Sequence, residues 1–232
     1  MNSNDSSKPL RYAIVVAGGR GSRMGADIPK QFLLLGKEPV LMHTLRKWYA
    51  LCETCVLVLP KDQQQVWKEL CAEYRFDVLH RIADGGETRF HSVRNGLLAL
   101  EVDSGLVAIH DGVRPLVSTE TIERCFEAAE ADGAAVPVMP LIESLRKLNK
   151  DGSSRAVPRS EYVMVQTPQT FDLALIRRAY EQPYRTEFTD DASVYEAAYP
   201  GRYPATVAGN QENIKLTDPV DMEIARLLLE RR

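Results

Sequence analysis

Short apolar runs that alternate with helix-length amphipathic stretches constrain this chain more than any other feature. Residues 12–17 (YAIVVA) form a β-branched run closed by glycines, and runs of the same kind recur at 55–59, 78–82, 106–109 and 134–138. A continuous apolar run of that length reads as a strand buried on both faces. Helical patterns fill the gaps at 41–51, 63–74, 92–100 and 119–131, and Ser118 stands where its hydroxyl would cap the last of them. Strands and helices in this order connect through right-handed crossovers into a mostly parallel sheet with helices on its faces. The expected fold class is therefore α/β with three layers.

The rhythm breaks near residue 140. Residues 140–158 mix charge with apolar character (Ser144, Leu145, Arg146, Lys147, Leu148) and then read Asn149-Lys150-Asp151-Gly152, a hairpin turn signal. The segment has too few apolar residues for a core of its own. It is either a surface hairpin or an arm that packs on another subunit. A strand at 162–166, helices at 173–180 and near 191–195, a strand at 205–208 and an amphipathic helix at 219–229 follow. There is no internal repeat.

Composition narrows the partners. Against 29 Lys and Arg stand 32 Asp and Glu, a formal charge of −3 in 232 residues, which argues against a dedicated nucleic-acid binder. An anionic ligand must then be met by a local cluster of cations. The length suits one domain, 1–232, with 140–158 as its appendage. The first eleven residues are polar and the longest apolar runs are strand-length, so a soluble, cytoplasmic protein is expected. Cys52 and Cys55 have metal-ligand spacing but no second pair at finger distance, and Cys55 opens an apolar run, so a core cysteine is expected there. The four histidines form no helical ligand pair and no G-x-S-x-G elbow exists.

One cationic cluster follows the first strand directly: Ala17-Gly18-Gly19-Arg20-Gly21-Ser22-Arg23-Met24-Gly25, then Pro29-Lys30. Ligands of open α/β sheets bind at the carboxyl ends of strands, and glycines there let backbone N–H groups approach a phosphate. A solvated basic loop is the competing reading. Met24 breaks the dinucleotide pattern G-x-G-x-x-G and disfavours an NAD-binding oxidoreductase, while Ala26 breaks G-x-x-x-x-G-K-[ST]. Arg23 and Lys30 remain as cations able to hold a polyphosphate from two sides. Asp111, in His110-Asp111-Gly112-Val113-Arg114-Pro115, ends another strand and is placed either to bind a divalent cation or to cap a turn. The glycine turn Asp84–Ser92 leads into a helix, and its backbone and the Ser92 hydroxyl are placed to read a nucleobase or ribose unless it is a plain strand-to-helix turn. Spacing alone gives Arg159, Thr167 and Lys215 no function.

Taken in order, AGGRGSRMG…PKQF, DGGETRFHSV, HDGVRP, QTPQTF, TDDAS and NIKLT resemble the 2-C-methyl-D-erythritol 4-phosphate cytidylyltransferases of the non-mevalonate isoprenoid pathway. The resemblance runs from about residue 12 to the C-terminus. It implies a Rossmann-like nucleotidyltransferase fold with a protruding β-hairpin arm, CTP as substrate and Mg²⁺ as cofactor. It further implies that Arg23 and Lys30 stabilise the transition state, and that Ala17, Gly18, Gly19 and Gly21 hold the triphosphate and base. Gly86 and Ser92 would contact cytosine and ribose, and Asp111 would bind Mg²⁺ and substrate hydroxyls with help from Arg114. Ser144, Thr167 and Thr189 would lie near the acceptor, and Arg159 and Lys215 would position its phosphate. The arm at 140–158 implies a homodimer. Two readings stand beside this one. A ribitol-5-phosphate cytidylyltransferase is also compatible with AGG and QTPQTF. A catalytically silent nucleotide-binding scaffold is the other, and intact Arg23, Lys30 and Asp111 speak against it.

Overall fold

The structure, a computed structural model, describes residues 8–19 and 28–231. In chain order the elements are β1 (Arg11–Val16), a 3-10 turn (Lys30–Phe32), β2 (Leu34–Leu35), β3 (Glu38–Pro39), α1 (Val40–Tyr49), β4 (Thr54–Leu59), α2 (Lys61–Glu73), β5 (Arg81–Asp84), α3 (Arg89–Leu98) and β6 (Leu106–Asp111). Next come α4 (Thr119–Asp132), β7 (Ala134–Pro140), β8 (Leu145–Leu148), β9 (Ser154–Val157) and a 3-10 turn (Arg159–Glu161). The chain closes with β10 (Val163–Val165), β11 (Gln169–Asp172), α5 (Leu173–Ala179), α6 (Asp191–Ala198), β12 (Ala205–Ala208) and α7 (Pro219–Glu230).

Eight strands form the central sheet in the order β10-β7-β11-β6-β1-β4-β5, with β12 added to β7. The pairs β1–β4, β1–β6, β4–β5 and β12–β7 are parallel. The exceptions are β10 and β11, both antiparallel to their neighbours. These two lie along the same edge of β7, Val165 opposite Val138 and Thr170 opposite Ala135, while β12 takes the other edge. They make one ribbon, interrupted at 166–168, that returns from the arm and enters the sheet between β7 and β6. The arm itself, β8 with β9, pairs with no other strand.

Side chains of successive strand residues point to opposite faces, and β1 divides the core accordingly. Ala13 and Val15 pack with Trp48 of α1, Trp67 of α2 and Phe126 of α4. Tyr12 and Ile14 pack with Phe90 and Val93 of α3, Ile176 of α5 and Val194 and Tyr195 of α6. This gives the three layers expected from the alternation. A smaller cluster of Leu35, Val40, Val113, Leu116, Leu216 and Met222 ties α7 and the β2–β3 hairpin to the segment that follows β6.

Two strands differ from expectation. The strand expected at 78–82 is displaced: residues 78–80 are loop, and β5 begins at Arg81, which pairs with Val56 of β4. Val78 is buried for another reason: the loop folds under α2, where His80 Nδ1 donates to the Val78 carbonyl (2.7 Å) and His80 Nε2 accepts from the Trp67 indole (2.9 Å). The polar strand β11 has no apolar run to announce it, yet Gln169 and Thr170 are buried. Gln169 is satisfied by donating to Asp190 and accepting from the Ala192 amide. Ser118 caps α4 as its position suggested, accepting from the Thr121 amide. Cys55 is buried in β4, and that burial pushes its thiol up to about 12, so it is a core cysteine.

Candidate active site

The carboxyl ends of β1, β5 and β6 open on a cavity of about 340 Å³. Its wall is Val16 to Gly19 after β1, Lys30 and Gln31, Gly86 to Arg89 with Ser92 at the β5–α3 connection, Asp111 and Val113 after β6, and Lys215 and Thr217 before α7. Gly112 lets two of these strand ends meet. A Cβ there would stand 2.9 Å from that of Ala17, so only glycine brings Asp111 up beside the β1 terminus without displacing it.

One side of the cavity is mostly main chain. Gln31 is fully buried and its Nε2 donates to the Ala17 carbonyl (2.8 Å) and to Gln63 Oε1 (2.6 Å), which fixes where the chain leaves β1. At the β5–α3 connection the Ser92 hydroxyl accepts from the Gly86 amide and donates to the Thr88 carbonyl, both at 3.0 Å. Thr88 caps α3 through the His91 amide. A Cβ on Gly86 would stand 2.4 Å from the His91 Cβ, so the turn requires glycine. With Thr88, Arg89 and Ser92 in the wall, the positive end of the α3 dipole sits at the cavity and favours an anion there.

Charged side chains make the other side. Asp111 Oδ2 meets Arg114 Nε and Lys215 Nζ, each at 3.1 Å, and Oδ1 lies 3.9 Å from Arg89 Nε. Burial by itself would raise this carboxyl, but Arg89, Lys215 and Arg114 together hold it well below the usual carboxylate range. Arg89 is in turn held by the fully buried Asp191, with a 2.8 Å bond to Oδ1 and a 2.5 Å bond to Oδ2, and Tyr180 donates to the same carboxylate. Three cations, Lys30, Arg89 and Lys215, thus face the cavity against Asp111 and Glu87. That is a setting for a polyanion.

Behind Asp111 a hydrogen-bonded chain fixes a proton pattern. The Asp111 amide donates to Thr167 Oγ1 (3.1 Å), and the Thr167 hydroxyl then donates to His110 Nδ1 (3.0 Å). His110 Nε2 donates to the Arg114 carbonyl (3.0 Å), so the imidazole is neutral with its proton on Nε2. Burial lowers it to about 4, in spite of the Arg114 carbonyl. A base committed at both nitrogens is a structural strut and not a proton acceptor for a substrate.

Of the residues singled out by sequence, Ala17, Gly18, Gly19, Lys30, Gly86, Ser92, Asp111 and Lys215 line one cavity. Arg114 and Thr167 stand directly behind Asp111. Ser144, Arg159 and Thr189 are exposed and away from the wall; Arg159 donates to the Ile142 carbonyl at the base of the arm. Gly21 and Arg23, with the neighbouring Arg20 and Met24, lie outside the described residues. Sequence reasoning passed over Arg89, Gln31, His110, Asp191 and Asn213. Arg89 carried one usable signal, a cation opening a helix just after a glycine turn; its partner Asp191 lies 102 residues away and carried none.

Comparison with known proteins agrees with this geometry. The family model of 2-C-methyl-D-erythritol 4-phosphate cytidylyltransferase matches residues 12–231. A protein of that name from Porphyromonas gingivalis is 58% identical over 222 residues, covering 96% of this chain and 99% of its own. Another, from Phocaeicola vulgatus, is 54% identical over 221 residues, covering 94% and 99%. Among solved structures, the 4-diphosphocytidyl-2C-methyl-D-erythritol synthase of Anaerococcus prevotii superposes with a TM-score of 0.82 at 30% identity, over 96% of this chain and 97% of that one. The cytidylyltransferase of Thermus thermophilus gives 0.74 at 30%, over 97% and 100%.

Proposed function

The chain belongs to the 2-C-methyl-D-erythritol 4-phosphate cytidylyltransferase family, and from that premise we propose how its cavity performs the reaction. The reaction joins CTP and 2-C-methyl-D-erythritol 4-phosphate into 4-CDP-2-C-methyl-D-erythritol and releases pyrophosphate, a nucleotidyl transfer of the isoprenoid pathway. The observation that carries the proposal is that Lys30, Arg89, Lys215 and Asp111 line one cavity at the strand ends, Arg89 and Lys215 directly beside the Asp111 carboxylate.

In this reading the loop residues Ala17, Gly18, Gly19 and Gly21 hold the triphosphate and base, and Gly86 and Ser92 read cytosine and ribose. Arg23 and Lys30 neutralise charge that builds at the α-phosphate. An oxygen of the acceptor phosphate attacks the α-phosphorus in line, and the bond to the oxygen bridging the β-phosphate breaks. Pyrophosphate leaves with that electron pair. The nucleophile is already an anion, so no general base is required, in keeping with a His110 whose two nitrogens are both engaged. Catalysis rests on positioning and charge stabilisation. Lys215 and Arg159 orient the acceptor phosphate, and Arg114, Ser144, Thr167 and Thr189 serve the acceptor side.

Asp111 is the residue to hold Mg²⁺. Its Oδ2 is engaged by Arg114 and Lys215, while Oδ1 has only the looser Arg89 contact among the described residues. No group of three His, Cys, Asp or Glu able to hold a metal exists among the described residues. One hard carboxylate oxygen completed by phosphate oxygens and water is a coordination that Mg²⁺ accepts. When bound, the ion would offset triphosphate charge.

The proposal extends to assembly. The chain acts as one domain, 1–232, and its arm at 140–158 joins two copies into a homodimer. Support comes from Ile142 and Leu148, 72% and 76% exposed on the arm, and from half-exposed Tyr162, Val163, Met164 and Val165 beside it. An apolar patch of this kind marks a surface that is covered in use. Ser144 sits on the arm and Arg159 at its base, both away from their own cavity, which supports a role in the partner's site. No helix among the described residues is long and apolar enough to cross a membrane, which accords with a cytoplasmic location.

The test is pyrophosphate release with CTP and Mg²⁺, with 2-C-methyl-D-erythritol 4-phosphate and ribitol 5-phosphate in parallel. Release with the first alone is the expected result. Release with the second alone would keep the chemistry and change the acceptor. CTP binding without release in either case would overturn the enzymatic reading. Sedimentation of an Ile142→Glu, Leu148→Glu variant should show a monomer, and a variant still dimeric would overturn the arm assignment.

A further inference from the structure

We infer that Asn213 is a positioning residue that sets the acceptor side of the cavity, acting through Arg114, Thr167 and Lys215. The inference rests on the proposed acceptor role of those three residues. Asn213 is fully buried in the segment between β12 and α7, and touches every segment that carries one of them. Its Nδ2 donates to the Thr167 carbonyl (2.8 Å) and to Gln166 Oε1 (3.2 Å), which ties it to the break between β10 and β11. Its own carbonyl accepts from Arg114 NH1 (2.7 Å), the same guanidinium whose Nε meets Asp111 Oδ2. Two residues further on, Lys215 reaches the same carboxylate oxygen. Gln166 closes the arrangement by donating from Nε2 to the Asn210 carbonyl (3.0 Å).

The chemistry of the amide says which of its atoms matter. Asn213 Oδ1 is buried without a hydrogen-bond partner. A buried acceptor left unpaired costs stability, and an apolar side chain of similar shape would avoid that cost. The reason to keep an amide here is therefore its pair of donors. They hold residues 210–215 against 166–167, so that the Asn213 carbonyl and the Lys215 ammonium arrive at Arg114 and Asp111 together. Without those donors, two of the three cations around Asp111 lose their common register. The nucleotide side does not depend on this anchor, since Ala17 is held by Gln31 and Gly86 by Ser92.

The experiment measures KM for CTP and for 2-C-methyl-D-erythritol 4-phosphate separately, in the wild type, in Asn213→Leu, which keeps the branching at Cγ in a larger side chain and removes the donors, and in the smaller Asn213→Ala. KM does not depend on how much of the preparation is folded, so partial misfolding, which lowers apparent kcat, cannot imitate the effect. Acceptor KM should rise about tenfold in Asn213→Leu, the loss expected for two neutral hydrogen bonds, with CTP KM within about twofold of wild type. Asn213→Ala should do the same, and it answers the question if the leucine variant does not fold. Unchanged acceptor KM, or both KM values rising in step, would overturn the inference while leaving the functional reading intact. A wild type that fails to turn over this acceptor would instead overturn the functional reading, and this inference with it.

Discussion

On the side of the cavity proposed for the nucleotide the chain presents mostly backbone, whereas on the side proposed for the acceptor it presents charged side chains that already pair with one another. Gly86 is set by the bond its amide donates to Ser92 and Ala17 by the bond its carbonyl accepts from Gln31, so the backbone of both comes ready-placed. Asp111, Arg114 and Lys215 compensate each other's charge, so an arriving phosphate must take over partners that the carboxylate holds. The two sides should therefore fail differently. A backbone wall is sensitive to added volume, and a charged wall is sensitive to a missing charge.

The sharpest way to break the comparison is at the transferred phosphate, between the two sides. Lys30→Ala should lower kcat about 10²–10³-fold, the scale of losing one preorganised charge-stabilising donor, while the unfolding midpoint stays at the wild-type value. Turnover within about threefold of wild type would remove Lys30 from that role. Next in size, Lys215→Ala should lower kcat/KM for the acceptor about 10–100-fold, the range for a hydrogen bond to a charged group, and leave CTP KM near wild type. If CTP KM moved equally, the division into two sides would be lost.

Gly86→Ala tests the opposite wall. The new methyl meets His91 at 2.4 Å, and overpacking of that kind costs about 1–3 kcal/mol. Its kinetic signature should be a rise of about tenfold in CTP KM with the acceptor KM unchanged. The smallest effect belongs to His80, which supports the fold under α2 and touches neither side. Burial lowers its pKa in the folded chain, against the Val78 carbonyl bond. The stability it contributes is therefore complete above about pH 6.5, the unfolded histidine value, and is lost as pH falls through the lower folded value. The unfolding midpoint should drop by a few degrees between pH 7 and pH 5, with the deeply buried His110 contributing in the same sense, and His80→Gln should make that dependence shallower with both KM values unchanged at pH 7. A slope as steep in the variant would assign the acid sensitivity elsewhere.

The layered fold was legible because β1, β4 and β6 are apolar on both faces, as strands under two helix layers must be. What misled was burial without periodicity. Val78 is buried by a loop held to Trp67, and in β11 Gln169 is buried behind partners from α6 and the residue before it, with Thr170 buried beside it. The cavity divides in the same way. Its glycines follow apolar runs and announced themselves locally, as did Lys30 and Asp111. Arg89, His110 and Asn213 take their meaning from Asp191, Thr167 and Arg114, between about 50 and 100 residues away. No local pattern encodes such pairs. Thr167 shows the intermediate case, recognised by resemblance to a motif, with its physical reason visible only once its hydroxyl lies between Asp111 and His110.

The ribbon of β10 and β11 also sets an order of events during synthesis. The neighbours of β1 and β4 are complete once β6 has emerged, so that half of the sheet can close behind the growing chain. All three strand neighbours of β7 come later than β7 itself. A nascent chain that has reached the end of the arm therefore carries β7 with no strand beside it, and the amides of β7 should exchange freely with solvent while those of β1 are protected. Until residues 163–172 come back from the arm and enter between β6 and β7, Thr167 has not reached Asp111. The proposed acceptor side of the cavity is the last part to be born.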